Sequence, residues 1–176
     1  MLAISLFYLA FRFFHVVAGV LWVGSAFLFS AFLGPSAAEV GPSAGPLLTV
    51  LVKKRKLPTV IKALSGITVL AGWILWLRDL DLYGSLGDWL GSSFGLVLTI
   101  GAVLATVAFV IGLVGIAPNV ERLVDLGGEI AAGGGPPTPE QGAAMERTSK
   151  ALEAASKVDL VLLLLAATAM ATARYW

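Results

Sequence analysis

The chain has 176 residues, of which 58% are hydrophobic and 13% are charged, whereas a soluble domain is usually about 25% charged. This composition excludes an ordinary soluble domain and predicts an integral membrane protein. The net charge of +1, with no basic stripe, argues against a nucleic-acid partner, and the lack of cysteine excludes disulfides, thiolate metal sites and covalently attached haem.

Four apolar segments are long enough to cross a bilayer as helices, which takes roughly 20 residues. They cover residues 2–33, 57–77, 93–117 and 158–173. The first has no basic leader and is interrupted by charged residues, so we interpret it as a retained span and not as a signal peptide. The sequence therefore predicts an all-α fold in which residues 1–176 form a single four-helix transmembrane bundle, with a polar loop at 118–157.

The first span contains Arg12 and the only histidine, His15. Helical spacing places Tyr8, Gly19 and Trp22 on the same face as these two residues. Ionisable residues within a span suggest a functional site by default, and the missing side chain of Gly19 would leave room for a flat ligand beside the imidazole. The alternative is that His15 bonds a hydroxyl or carbonyl of another helix while Gly19 serves packing.

The second span is preceded by a basic cluster, Lys53 to Lys56, and ends at Arg78 before a short, net acidic loop at 78–92. Basic residues near span ends mark the cytoplasmic side. We therefore expect the first and third loops inside, with both termini and the 78–92 loop outside.

The third span carries a small-residue stripe at Gly101, Ala105, Ala108 and Gly112, which predicts a helix–helix seam. Hydroxyl groups in the spans are expected to bond carbonyls of their own helices; they belong to Ser65, Thr68, Thr99 and Thr106.

In the polar loop, a GGGPPTPEQG breaker separates two segments with helical spacing, which are expected to extend the third and fourth helices beyond the lipid.

The fourth span begins near Asp159 and ends in an aromatic and basic sequence containing Arg174. We expect Asp159 to cap that helix or to pair with Lys157 or Lys62. Met170 lies within about one turn of the membrane level of His15, counted from the span centres. It is either a candidate ligand for a metal bound at His15 or a residue that fills the core.

A haem b would account for several of these residues together. His15 would bind the iron as axial ligand, Arg12 and Arg174 would lie near the propionates, and tryptophans including Trp22 would surround the macrocycle. The sixth coordination position of the iron would be occupied by Met170, by water or by His15 of a second subunit in a homodimer, or it would be empty. The alternative pairs the arginines, including Arg78, with acidic residues of the 78–92 loop or with lipid phosphates.

The segment RFFHVVAGVLWVGSAFLF resembles the first-helix motif, roughly R-x-x-H-x-x-A-G-x-x-W-x-G, of small bacterial membrane proteins. These are the CopD-like domain, the membrane domain of PuuD-type urate oxidases and the HemJ-type protoporphyrinogen oxidases. The motif residues here are Arg12, His15, Gly19, Trp22 and Gly24. KKRKLPTVIKALSGITVLAGWILWLRD and the C-terminal DLVLLLLAATAMATARYW are also similar to members.

The resemblance implies a four-helix bundle in the bacterial inner membrane, with haem b and redox roles in some branches. The chain departs from these proteins in having one histidine, few copper ligands and no cytochrome domain, so it looks like an uncharacterised short member. Two functions follow as expectations: a haem-binding electron-transfer or redox-accessory protein that exchanges electrons with a quinone or a partner protein, and a non-catalytic anchor or assembly subunit of a larger membrane complex. Whether the chain is an enzyme stays open, and a permease finds little support because repeated halves and a polar pore lining are absent.

Overall fold

The structure is a computed structural model and describes residues 6–176. These residues are helical apart from short connections, and they contain no strand. The α-helices are α1 Leu6–Leu28, α2 Gly34–Val40, α3 Gly45–Thr49, α4 Leu57–Tyr83, α5 Leu86–Gly91, α6 Ser93–Ile111, α7 Ala117–Ala132 and α8 Pro139–Thr172. The predicted all-α class is confirmed for the described residues.

Short π-helical and 3₁₀ segments join some of these helices into longer runs. Four runs are long and apolar enough to cross a membrane: Leu6–Lys54, Leu57–Tyr83, Ser93–Ala132 and Pro139–Tyr175. Each contains one predicted span, except that residues 2–5 of the first span lie outside the described residues. The chain is therefore a multi-pass membrane protein by the length and composition of its helices.

Large apolar side chains project outward along these runs. Phe13, Leu70 and Leu165 are 59%, 67% and 52% exposed, respectively. In water, a continuous apolar surface of this kind would drive association, whereas in a bilayer the acyl chains cover it at no cost. The exposed surface thus agrees with a lipid environment.

The chain divides into two compact units. Within the described residues, the first comprises residues 6–24, Ala63–Phe109 and Val161–Trp176, and so holds most of α1, α4 and α6, all of α5 and the end of α8. Its buried apolar residues are mostly small or aromatic: Ala18, Trp22, Ala71, Trp89, Ala108, Leu163, Ala166 and Ala173. Small residues let helix backbones approach closely, which is the main source of packing energy between helices in lipid.

Within this unit, α6 packs against α8 through its small residues. A Cβ atom placed on Gly101 would lie 3.1 Å from Met170 Cγ and 3.3 Å from the carbonyl oxygen of Ala166, and Ala108 is fully buried. The predicted seam is confirmed at these two positions. Gly112 belongs to the other unit, and nothing lies within 4 Å of its Cβ position.

The second unit comprises Ser25–Lys62 and Val110–Leu160. Its chain turns after α2 at Gly41, whose φ of 65° is a left-handed conformation that suits glycine. Here α3 packs against α7, and Lys53 Nζ lies 2.6 Å from Asp125 Oδ1. Within the polar segment 118–157, α7 and the first half of α8 are helical, as expected, and residues 133–138 separate them.

Candidate functional site around His15

His15 lies on α1, on the face that packs against α4 in the first unit. Its side chain is half-buried, and Ala18 and Trp22 follow on the same face with exposures of 5% and 4%. The imidazole Nδ1 is 2.8 Å from the backbone oxygen of Thr68. The ring therefore makes a hydrogen bond to the neighbouring helix, which is the alternative considered for it from the sequence.

The bond to Thr68 also sets the tautomer of the ring. A carbonyl oxygen only accepts hydrogen bonds, so Nδ1 carries the proton and donates it. In a neutral imidazole, the lone pair is then on Nε2. The orientation is reinforced by Gly72, because a Cβ atom placed there would lie 2.8 Å from His15 Cε1. Only a glycine at position 72 lets the ring lie this close to the α4 backbone.

Gly19 and Trp22 are one turn apart on α1, and both lie on the same helix face as His15. A Cβ atom placed on Gly19 would lie 3.3 Å from Thr68 Cγ2, so the space beside this glycine is filled by α4. Trp22 is 4% exposed. Gly19 thus contributes to close packing of α1 on α4.

The arginines of the first unit lie in two places. Arg78 extends over the Tyr8 ring, with its Cζ 4.2 Å from the ring centroid, and its Nη1 is 3.5 Å from Asp79 Oδ1. Arg12 is exposed, and its positive charge also acts on Asp79. Arg78 is thus the arginine that forms an ion pair with Asp79.

Arg174 is exposed in the short turn Ala173–Tyr175, and its Cζ lies 5.2 Å from the Tyr175 ring centroid. Met170 lies one turn earlier and packs against Gly101 of α6. Met170 therefore packs between helices, which agrees with the alternative role in which it fills the core.

A network of tryptophan and threonine residues fills the interior between α4, α5 and α6. Trp73 Nε1 donates to Thr106 Oγ1 at 3.0 Å, while Thr99 Oγ1 accepts from both Trp76 Nε1 at 2.8 Å and Trp89 Nε1 at 3.1 Å. Trp89 is fully buried although it belongs to the connection between two spans. The N–H groups of the three indoles are therefore all hydrogen-bonded within the protein.

The threonine hydroxyls of the spans donate to backbone oxygens of their own helices, as the sequence predicted. Thr99 donates to the Gly95 oxygen and Thr106 to the Ala102 oxygen, each at 2.7 Å, and Thr68 donates to the Leu64 oxygen at 2.8 Å. The second role of the first two, as acceptors for indole N–H groups, was not predicted. The signal for it in the sequence is slight, because Trp89 stands in a short acidic connection.

The expectation for Asp159 is wrong. The residue lies well inside α8, which begins at Pro139, so it does not cap a helix. Lys157 bonds Glu153 at 2.6 Å and Lys62 bonds Glu121 at 3.4 Å. Asp159 is instead 4% exposed, and its Oδ1 has no hydrogen-bond partner. The two lysines prefer acids that lie near water, where pairing requires no burial of charge.

The fit of a haem to these residues is partial. The donor is present, because an Nδ1–H bonded to a carbonyl is how histidine ligands are commonly oriented. The opening that Gly19 would offer to a macrocycle is filled by Thr68. Among residues 6–176, no group of three or more His, Cys, Asp or Glu side chains is placed to hold a metal ion.

Comparison with known proteins gives no relative: no protein-family model, no curated protein and no solved structure matches the chain.

Proposed function

We propose that this chain is a non-catalytic membrane anchor or assembly subunit of a larger membrane complex. In this protein His15 has a structural role, because its hydrogen bond links two spans. The observation that carries the proposal is the 2.8 Å hydrogen bond from His15 Nδ1 to the Thr68 oxygen, with Gly72 against the ring. A polar side chain used in this way holds two helices in register. An interhelical hydrogen bond in a membrane contributes about 0.6 kcal/mol on average and up to about 1.7 kcal/mol.

The surface offered to a partner is the polar pair of helices in the second unit. Some of its charges are paired along α8, where Lys150 bonds Glu146 at 2.7 Å and Lys157 bonds Glu153 at 2.6 Å. Arg122 and Arg147 are exposed and have no ion pair in the described chain. Charged groups that are unpaired within the protein can form the rim contacts of a protein–protein interface.

The experiment compares two substitutions of His15 in purified protein from haem-supplied cells. An asparagine at position 15 places an amide N–H near the position of Nδ1, whereas leucine removes the donor. We expect no Soret band in the wild type, a thermal midpoint close to wild type for His15→Asn, and a lower one for His15→Leu. The loss expected for leucine is about 1 kcal/mol. A Soret band that both variants abolish would overturn the proposal.

A second candidate is a haem-binding redox or electron-transfer protein, favoured by the Nε2 lone pair that the bond to Thr68 leaves on His15. His15 would then hold the haem iron, and Arg12 and Arg174 would supply positive charge near the propionates. A bound haem would supply one-electron chemistry, and the electron would be exchanged with a quinone or a redox partner protein. Met170, or His15 of a second subunit in a homodimer, would complete the iron coordination.

For either function we propose the bacterial inner membrane as the location, with both termini and the 78–92 connection outside. The support is the basic run from Lys53 to Lys56 and the resemblance of the first-helix segment to the motif of CopD-like, PuuD-type and HemJ-type proteins. Both functions require the same four spans, so the spectrum and the histidine variants distinguish them where topology does not.

A further inference from the structure

Three exposed basic residues connect the π-helical segment that ends at Lys54 with α4, in the second unit. They are Lys54, Arg55 and Lys56, and we call them the basic turn. The first membrane-length run of helix ends at Lys54, and the second begins at Leu57. Because the hydrocarbon core of a bilayer ends where a span ends, a turn between two such runs lies at the level of the lipid headgroups.

The backbone of the basic turn is fixed by contacts on its N-terminal side. Val52 is 8% exposed, so the chain is buried just before the turn. Lys53 Nζ lies 2.6 Å from Asp125 Oδ1 of α7. The backbone amide of Arg55 donates to the Val50 oxygen at 2.8 Å. The three basic side chains are therefore presented from an ordered backbone.

Two acids of α7 pair with lysines that flank the basic turn in the chain. Asp125 pairs with Lys53, and Glu121, one helical turn earlier, pairs with Lys62 at 3.4 Å. Among residues 6–176, no acid forms an ion pair with a residue of the basic turn. Its three positive charges therefore remain for an anion outside the chain.

Lys56 has a backbone conformation that is costly for any residue with a side chain. Its φ is 52°, and among the described residues it is the only one besides glycines with a positive φ. Glycine adopts this left-handed conformation without the steric clash that a Cβ atom introduces. A lysine where glycine would be more stable indicates that the lysine side chain has a function outside the fold.

We propose that the basic turn binds the headgroup of an anionic phospholipid. The Arg55 guanidinium suits a phosphate because it presents parallel N–H donors to two oxygens, and Lys54 and Lys56 add positive charge on either side of it in the chain. The position of the turn at the end of a span selects a lipid, since headgroups are its neighbours at that level. A zwitterionic lipid also carries a positive headgroup charge, so it binds less tightly. The site goes beyond the proposed function, since neither candidate requires it.

The first arm of the test measures lipid binding to delipidated protein in detergent by native mass spectrometry. The probes are a phosphatidylglycerol and a phosphatidylcholine with the same acyl chains. We expect tighter binding of phosphatidylglycerol, and about fivefold weaker binding of it to Lys54→Gln, as for one basic residue near an anionic headgroup. Lys150→Gln is the matched control, because it removes one positive charge at an exposed position of the same unit, in the polar segment away from the span ends.

The second arm separates binding from folding. Lys56→Gly removes a charge of the basic turn and also the Cβ atom that the left-handed backbone disfavours. We expect about fivefold weaker binding of phosphatidylglycerol, together with a lipid-free thermal midpoint no lower than that of the wild type. Circular dichroism checks that Lys54→Gln and Lys150→Gln keep their helices.

Glycerol phosphate, which has the phosphate but no acyl chain, should fail to compete with phosphatidylglycerol, because the acyl chains hold the headgroup at the level of the turn. Competition by glycerol phosphate would show a site for free anions and would overturn the proposal. Equal affinity for the two lipids, wild-type affinity in Lys54→Gln, or the same loss of affinity in Lys150→Gln would each overturn it as well.

Discussion

At the scale of single residues, the polar groups inside the first unit are matched to one another. His15 bonds the Thr68 oxygen, and the indole N–H groups of Trp73 and Trp76 bond threonine hydroxyls. In a bilayer, no water is present to bond a group left unmatched. The pairing explains why polar side chains occur within spans that are otherwise apolar.

Asp159 is the exception among the described residues, because its buried Oδ1 has no partner. An unpaired carboxylate is costly to bury, whereas asparagine has the same shape without the charge. We therefore expect Asp159→Asn to keep or raise the free energy of unfolding, measured by thermal or denaturant unfolding in detergent. A loss of more than about 1 kcal/mol would show that the carboxylate has a favourable contact that the structure does not contain. Asp125→Asn serves as the control substitution for Asp159→Asn. It removes the carboxylate that pairs with Lys53, but at an exposed position.

At the scale of helices, packing in the first unit depends on positions without side chains. Gly72 accommodates the His15 ring, Gly19 accommodates Thr68, and Gly101 accommodates Met170 and the α8 backbone. The small-residue stripe of α6 could be recognised from its spacing alone. The roles of Gly19 and Gly72 could not, because they depend on which helix lies opposite.

Gly101→Leu should destabilise the protein, because its side chain would enter space occupied by Met170 and the Ala166 carbonyl. Overpacking of this kind costs about 1–3 kcal/mol. The thermal midpoint in detergent is the measurement. Gly112→Leu is the matched control, since nothing lies within 4 Å of the Gly112 Cβ position. Equal midpoints for the two variants would contradict the seam between α6 and α8.

At the scale of the whole molecule, the distribution of basic residues predicts how the chain crosses the membrane. The chain has no cysteine, so a single introduced cysteine can be labelled without background. Leu86 is 53% exposed in the connection that holds α5, and the neighbouring Ser85 is best left intact because its hydroxyl caps that helix. Gly135 is exposed between α7 and α8.

We expect a membrane-impermeant thiol reagent to label Leu86→Cys from outside intact cells, and Gly135→Cys only after the cells are opened. The reason is that basic residues near span ends are retained on the cytoplasmic side. The opposite pattern of labelling would reverse the topology, and labelling of both positions from outside would contradict an odd number of spans between them.

Four features could be predicted from the sequence: the all-α class, the four apolar spans, the helical extensions in the polar segment and the seam at Gly101. These depend on composition and on spacing along one helix, which are local properties. Three further features are visible only in the folded protein: His15 bonds the Thr68 backbone, Trp89 is fully buried, and Lys62 pairs with Glu121 and not with Asp159. The pairs His15–Thr68 and Lys62–Glu121 join residues distant in the chain, and within an apolar span the periodicity does not specify which helix faces which.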